Sequence, residues 1–192
     1  MNRKVCKRTV DSLIRCLLLA FLVQAGSAWA AGIEVSDLSV TLEEGEYLVD
    51  ASIDYRFPDE AMEALENGVP LVLEVHVQLR KDGAWIWEAD RVELRLRYEI
   101  RYLALASLYQ VTDLQTNTWQ SFVTSQSAMS ALGALERLPL IDRASLKSGE
   151  RYILSVKSFL DIEALPLPMR PTAYLTPAWH LSSPRRIWRL KP

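Results

Sequence analysis

The chain has 192 residues, a formal charge of −2 and nearly half of its residues hydrophobic. That supplies one sizeable core and excludes both a disordered chain and an electrostatic partner of nucleic acid, which needs clustered bases. The two cysteines are Cys6 and Cys16, so whatever folds downstream of them does so without a disulfide.

The first thirty residues read as a secretory signal peptide. Arg3, Lys4, Lys7, Arg8 and Arg15 form a basic leader with Asp11 as its one acid. An apolar run follows from about Leu13 to Val23, and Ala28 and Ala30 stand where a signal peptidase reads small residues. The run falls short of the roughly 17–25 residues of a membrane span, and no cysteine just behind it offers a lipid anchor. Cleavage is expected after Ala30, leaving residues 31–192 as a single β-rich domain. The leader carries five bases and one acid, so the whole-chain charge of −2 leaves −6 for the domain. Its melting is expected to be indifferent to a reductant.

Alternation sets out the strands in order. Ile33 to Leu42 is a strand with a change of parity near Asp37, the mark of a bulge. After a turn at Glu43–Glu46, the apolar residues Tyr47, Val49, Ala51, Ile53, Tyr55 and Phe57 alternate with mostly polar ones, closing a hairpin. Pro58-Asp59-Glu60 opens a short helix that ends at Gly68. Leu71, Leu73, Val75, Val77 and Leu79 form the next apolar face, followed by a turn at Lys81-Asp82-Gly83. A long extended stretch is expected from Trp85 and Trp87, bending near Ala89-Asp90. Along it Val92, Leu94, Leu96, Tyr98, Ile100 and Tyr102 line one side. Arg91, Glu93, Arg95, Arg97, Glu99 and Arg101 line the other.

Leu108–Thr112 and Trp119–Val123 make a second hairpin. A helix capped by Thr124 or Ser125 is expected to carry Met129, Leu132 and Leu135 on one side and to end at Pro139. A loop over 142–149 leads to the alternating strand Tyr152–Leu160. The Pro-rich segment 165–171 is expected to be extended, and Ser182-Ser183-Pro184 to be a turn. Tyr174, Leu175, Trp179 and Trp188 are too apolar for a free tail, so the C-terminal segment belongs to the fold. Many short strands and two short helices point to a mainly β, two-sheet antiparallel sandwich, immunoglobulin-like or related, with an open barrel as the alternative. Strand order does not follow from the sequence.

Several stretches, by their order and spacing, resemble a family of exported proteobacterial proteins, the domain-of-unknown-function family 4390. They are ENGVPLVLEVHVQL from Glu66, the WIW at Trp85, LRYEIRYLALASLYQVT from Leu96, WQSF at Trp119, SLKSGERYILSVKSFLDIEALPLP from Ser145, and WHLSS ahead of a terminal IWRL. The resemblance spans nearly all of residues 31–192 and implies a Gram-negative envelope location, the periplasm. It implies no activity, substrate or cofactor, and so no site residues.

Chemical motifs are sparse. His76 and His180 are the histidines of the domain, with no H-E-x-x-H and no cysteine ligand, so no metal and no cofactor is expected, and His76 is read as solvated. Ser125, Ser127, Ser182 and Ser183 lack a G-x-S-x-G frame. The acid pairs Asp50/Asp54, Glu88/Asp90 and Glu93/Glu99 read as polar strand faces or turns. No glycine-rich phosphate loop occurs. Most tryptophans are expected in the core, where large rings bury most area. The expectation is a non-enzymatic envelope module that binds another envelope protein, with Arg91, Arg95, Arg97, Arg101, Trp85 and Trp87 as its surface. On the plainer reading those arginines pair with acids of neighbouring strands, such as Asp50 and Asp54. An envelope hydrolase and a lipid- or glycan-binding sandwich are the competing classes.

Overall fold

The computed structural model describes residues 31–85 and 90–192. The expected signal peptide, the expected surface residue Trp87 and the bend at Ala89 lie outside the described residues. Strand β1 (Gly32–Glu43) pairs with β2 (Glu46–Arg56) across Glu44 and Gly45, both at positive φ, the geometry of a tight two-residue hairpin. The register slips between Ser36 and Ser39, with Asp37 at φ 48. That bulge switches the buried side from Ile33 and Val35 to Leu38, as the change of parity foretold.

Helix α1 (Asp59–Glu66) leads into β3 (Leu71–Lys81), then β4 (Val92–Leu103), β5 (Leu108–Asp113) and β6 (Thr118–Phe122). Trp85 stands outside any strand, Arg91 sits in a bend, and β4 begins at Val92. Helix α2 (Ser125–Gly133) starts at Thr124, whose hydroxyl accepts the Ser127 N–H. It stops at Gly133, earlier than expected, and Leu135 and Pro139 belong to a strand, β7 (Ala134–Asp142). The reason is packing: a Cβ at position 133 would stand 1.9 Å from the Ile53 carbonyl oxygen. A bare backbone lets the helix end meet β2 and the chain continue beside it. Pro139 is tolerated because β7 pairs on one side alone.

Strand β8 (Tyr152–Leu160) follows, and then the Pro-rich segment. It is a turn closed by Met169 N–H on Pro166 O, running into the short helix α3 (Arg170–Leu175), rather than an extended piece. Pro171 fits because the first helical turn has no use for its missing N–H. Ser182 then bridges Phe159 of β8 rather than turning, and β9 (Arg186–Leu190) completes the sheet. Trp179, Leu181 and Leu190 are buried, so the C-terminal segment is part of the fold.

Two antiparallel sheets result, β1-β2-β7 and β6-β5-β4-β3-β8-β9. The connectivity is that of a variable-type immunoglobulin sandwich: β1, β2 and β7 take the places of A, B and E. Strands β9, β8, β3, β4 and β5 take those of G, F, C, C′ and C″. Strand β6 stays with the larger sheet. The β3 residues Leu71, Leu73, Val75, Val77 and Leu79 are buried to within 1 %, each stabilising by roughly 1.5–3 kcal/mol. Where such sandwiches join B to F by a disulfide, here the Tyr55 hydroxyl of β2 and Ser158 Oγ of β8 share a buried hydrogen bond of 2.9 Å. Burial pushes the Tyr55 hydroxyl well above the usual tyrosine range. Ser158 N–H donates to Ser183 Oγ, and Ser183 N–H returns a bond to Ser158 O.

Candidate functional site

The expected arginine surface lies on the outer face of the six-stranded sheet, since register places Arg95 beside His76 and Arg97 beside Glu74. The arginines there are engaged. Arg95 holds Glu93 at 2.9 Å, Arg97 holds Asp161 at 2.8 Å, and Arg101 holds Glu99 at 3.1 Å. Asp50 and Asp54 belong to the other sheet. The Asp54 carboxylate accepts Arg56, and Asp50 accepts the backbone N–H of Arg137. Arg91, exposed just ahead of β4, is tied by its backbone N–H to Leu79 O. Trp85 is 68 % exposed, and its carbonyl accepts the Arg80 guanidinium. The face therefore brings Arg95, Arg97 and Arg101 together as ion pairs, with Trp85 at the turn after β3.

His76 is set into that face rather than solvated. Its Nε2 lies 3.4 Å from Glu74 and 4.0 Å from Glu93. Phe159 meets its ring edge-on at 5.9 Å, and Lys157 is its cross-strand neighbour. The setting is the outer face of the sheet, with acids, an aromatic ring and a lysine around the imidazole. Among the described residues no three His, Cys, Asp or Glu side chains stand as a metal site. Ser183 is enclosed and occupied in holding β8.

The tryptophans depart from expectation. Trp179 is buried, but Trp119 is 62 % exposed and Trp188 38 %. Both lie on edge strands of the larger sheet, where one flank of the residue has no neighbouring strand to cover it.

A cleft opens on the other sheet. The β2–β7 ladder runs from Glu46↔Asp142 to Ser52↔Ala134 and ends there. Beyond it, Ile53 to Arg56 pair with β1 alone. The Ile53 carbonyl points toward α2, as the Gly133 contact requires, and the two-residue repeat of a strand aims the N–H and C=O of Tyr55 the same way. Between this edge and the helices is a cleft of about 480 Å³. Its floor is the end of β2 from Ser52 to Arg56 with Phe57 just beyond, and its walls carry Met62 of α1 and Ser125, Gln126, Met129 and Ser130 of α2. Inward-facing Phe57 and the two methionines give it apolar depth, while Asp54 and Arg56, paired with each other at 2.8 Å, mark the outer lip. An open strand edge with alternate apolar and polar surroundings offers the complement of an extended polypeptide. No motif announced this cleft: it arises where a ladder between residues far apart in sequence stops.

Residues 30–189 match the family described as "Domain of unknown function (DUF4390)". The chain belongs to the DUF4390 family. No curated protein and no solved structure matches it. For this DUF4390 chain, then, the cleft and the two sheet faces carry what can be said of a site. Among its described residues no helix is long and apolar enough to cross a membrane.

Proposed function

We propose that this DUF4390 protein is a non-catalytic binding module of the bacterial envelope that takes an extended segment of another envelope protein along the open edge of β2. One observation carries the reading: the ladder stops at Ser52 while β2 runs on to Arg56, and the freed edge opens into a cleft. A strand laid there would exchange backbone hydrogen bonds with Tyr55. Its alternate side chains would reach Phe57, Met62 and Met129, and methionine adapts to varied apolar shapes. Export rests on the basic leader and the Ala28/Ala30 pair. Intact mass of protein recovered from the envelope tests that part: retention of residues 1–30 overturns it.

The cleft is tested with immobilised random heptapeptides. The protein is expected to select sequences with apolar residues at alternate positions, and Ser130→Trp, which fills the cleft from an exposed helix position, is expected to abolish selection while the protein still melts cooperatively. Selection that survives both Ser130→Trp and Gln126→Trp rejects the cleft as the site.

A further inference from the structure

The four sheet edges are not alike. Strand β1 carries the bulge at Asp37 and three acids, Glu34, Asp37 and Glu43. Strand β7 carries Pro139, two register slips and Arg137 at φ 50. Strand β9 carries Arg186 and Arg189 between Arg185 and Lys191. Bulges, prolines and edge charges are the devices that keep a strand from pairing with another chain. Strand β6, Thr-Trp-Gln-Ser-Phe, has none of them. It pairs with β5 without a register slip, Thr118 to Ser121 are exposed, and no charged residue occurs from Leu114 to Leu135. In a chain with 24 % charged residues, the one outermost strand among the described residues without such a guard sits inside a long uncharged run.

We infer that β6 is the contact between two copies of this chain, joined edge to edge about a two-fold axis at Gln120 into one continuous sheet. An antiparallel pairing centred there sets Trp119 against the partner's Ser121 and Gln120 against its own image. In such an interface every residue meets the same surface of its twin, so a charge near the axis would face its like. Arg186 and Arg189 would do that at β9, whereas β6 brings nothing to repel. The Gln120 amide has both donors and an acceptor and so can bond to another Gln120. Trp119, on the outer face beside Thr112, gains cover from the partner strand. A copy with a charge of −6 over residues 31–192 approaches its twin at least cost through a neutral surface. The inference is independent of the peptide cleft.

Sedimentation equilibrium of the protein recovered from cells tests it, for wild type and for Gln120→Lys, Gln120→Glu and Arg189→Glu, with circular dichroism as a check on folding. Wild type and Arg189→Glu are expected to give twice the monomer mass. Each Gln120 variant alone is expected to give the monomer mass, and an equal mixture of the two to return to the doubled mass as opposite charges meet at the axis. A wild type that stays monomeric into the high-micromolar range overturns the inference and leaves β6 for a strand of another protein. So do a dimer indifferent to Gln120→Lys, one lost in Arg189→Glu, and a mixture that fails to reassociate.

Discussion

The two halves of the six-stranded sheet are closed by different materials. Strands β8 and β9 meet β1 of the three-stranded sheet, and the inner side chains of β3 and β8 are almost wholly enclosed. Strands β4, β5 and β6 extend past that cover, and short helices complete the job: α1 packs on β4 and α2 on β5 and β6. Val92, Leu94, Leu96 and Tyr98 are only partly buried there. A sheet matches a sheet along its whole length, whereas a helix of two or three turns covers one spot and leaves gaps beside it. The half closed by strands is scaffold. The half closed by helices ends in the unguarded strand β6, and the same helices wall the cleft on β2.

Equal truncations should cost unequal amounts in the two halves. Leu73→Ala is expected to lower the unfolding free energy by about 2–5 kcal/mol, the cost of a cavity at a fully enclosed site. Leu96→Ala should cost about 1 kcal/mol, because a half-buried side chain leaves a gap that water can fill. Denaturant melts compare them, and equal losses would abolish the distinction. The seam between the halves is probed by Gly133→Ala. Its new Cβ meets backbone of Ile53 at 1.9 and 2.9 Å, so α2 must back away from β2, at about 1–3 kcal/mol. Gly32→Ala, with nothing within 4 Å, is the neutral control.

The polar link between β2 and β8 should cost less. Tyr55→Phe is expected to destabilise by about 1 kcal/mol. Adding Ser158→Ala should cost little more, because the second change removes a group already deprived of its partner. Two additive losses would mean that the hydroxyls act separately. The smallest effect is electrostatic. Hydrogen bonds from Lys81, and then from Tyr152, hold the Glu150 carboxyl below the ordinary glutamate value of 4.5. A lowered folded-state pKa contributes stability that is present above the unfolded value and lost as pH falls through the folded one. The melting temperature of the wild type should therefore drop more on acidification below about pH 4.5 than that of Glu150→Gln. Parallel curves would mean that the pair at the β3–β8 end is idle.

Period-two alternation was legible wherever a strand ran straight and one face was enclosed, as in β2, β3 and β8. It failed at β7, where two register slips put the buried Leu135 and Leu140 at opposite parities and Pro139 masqueraded as a helix stop. Opposite charges along β4 were legible too, but not their partners, since Asp161 reaches Arg97 only after the chain has turned back from β8. The tryptophans misled for a related reason: size predicts burial only when both flanks are covered, and Trp119 has one neighbouring strand. The uncharged run from Leu114 stood in plain view in the sequence. Its meaning required knowing that it forms the rim of a sheet.

The order in which the sheets close has a consequence for how the chain matures. Leu73 waits for Leu160, and Ala51 waits for Leu135. Neither sheet can be completed by a partial chain, and β8 lacks its second neighbour until the last few residues arrive. Contacts so distant along the chain make folding slow, because each loop must be closed before the pairing rewards it. A polypeptide delivered amino end first therefore cannot complete either sheet until its late strands have arrived.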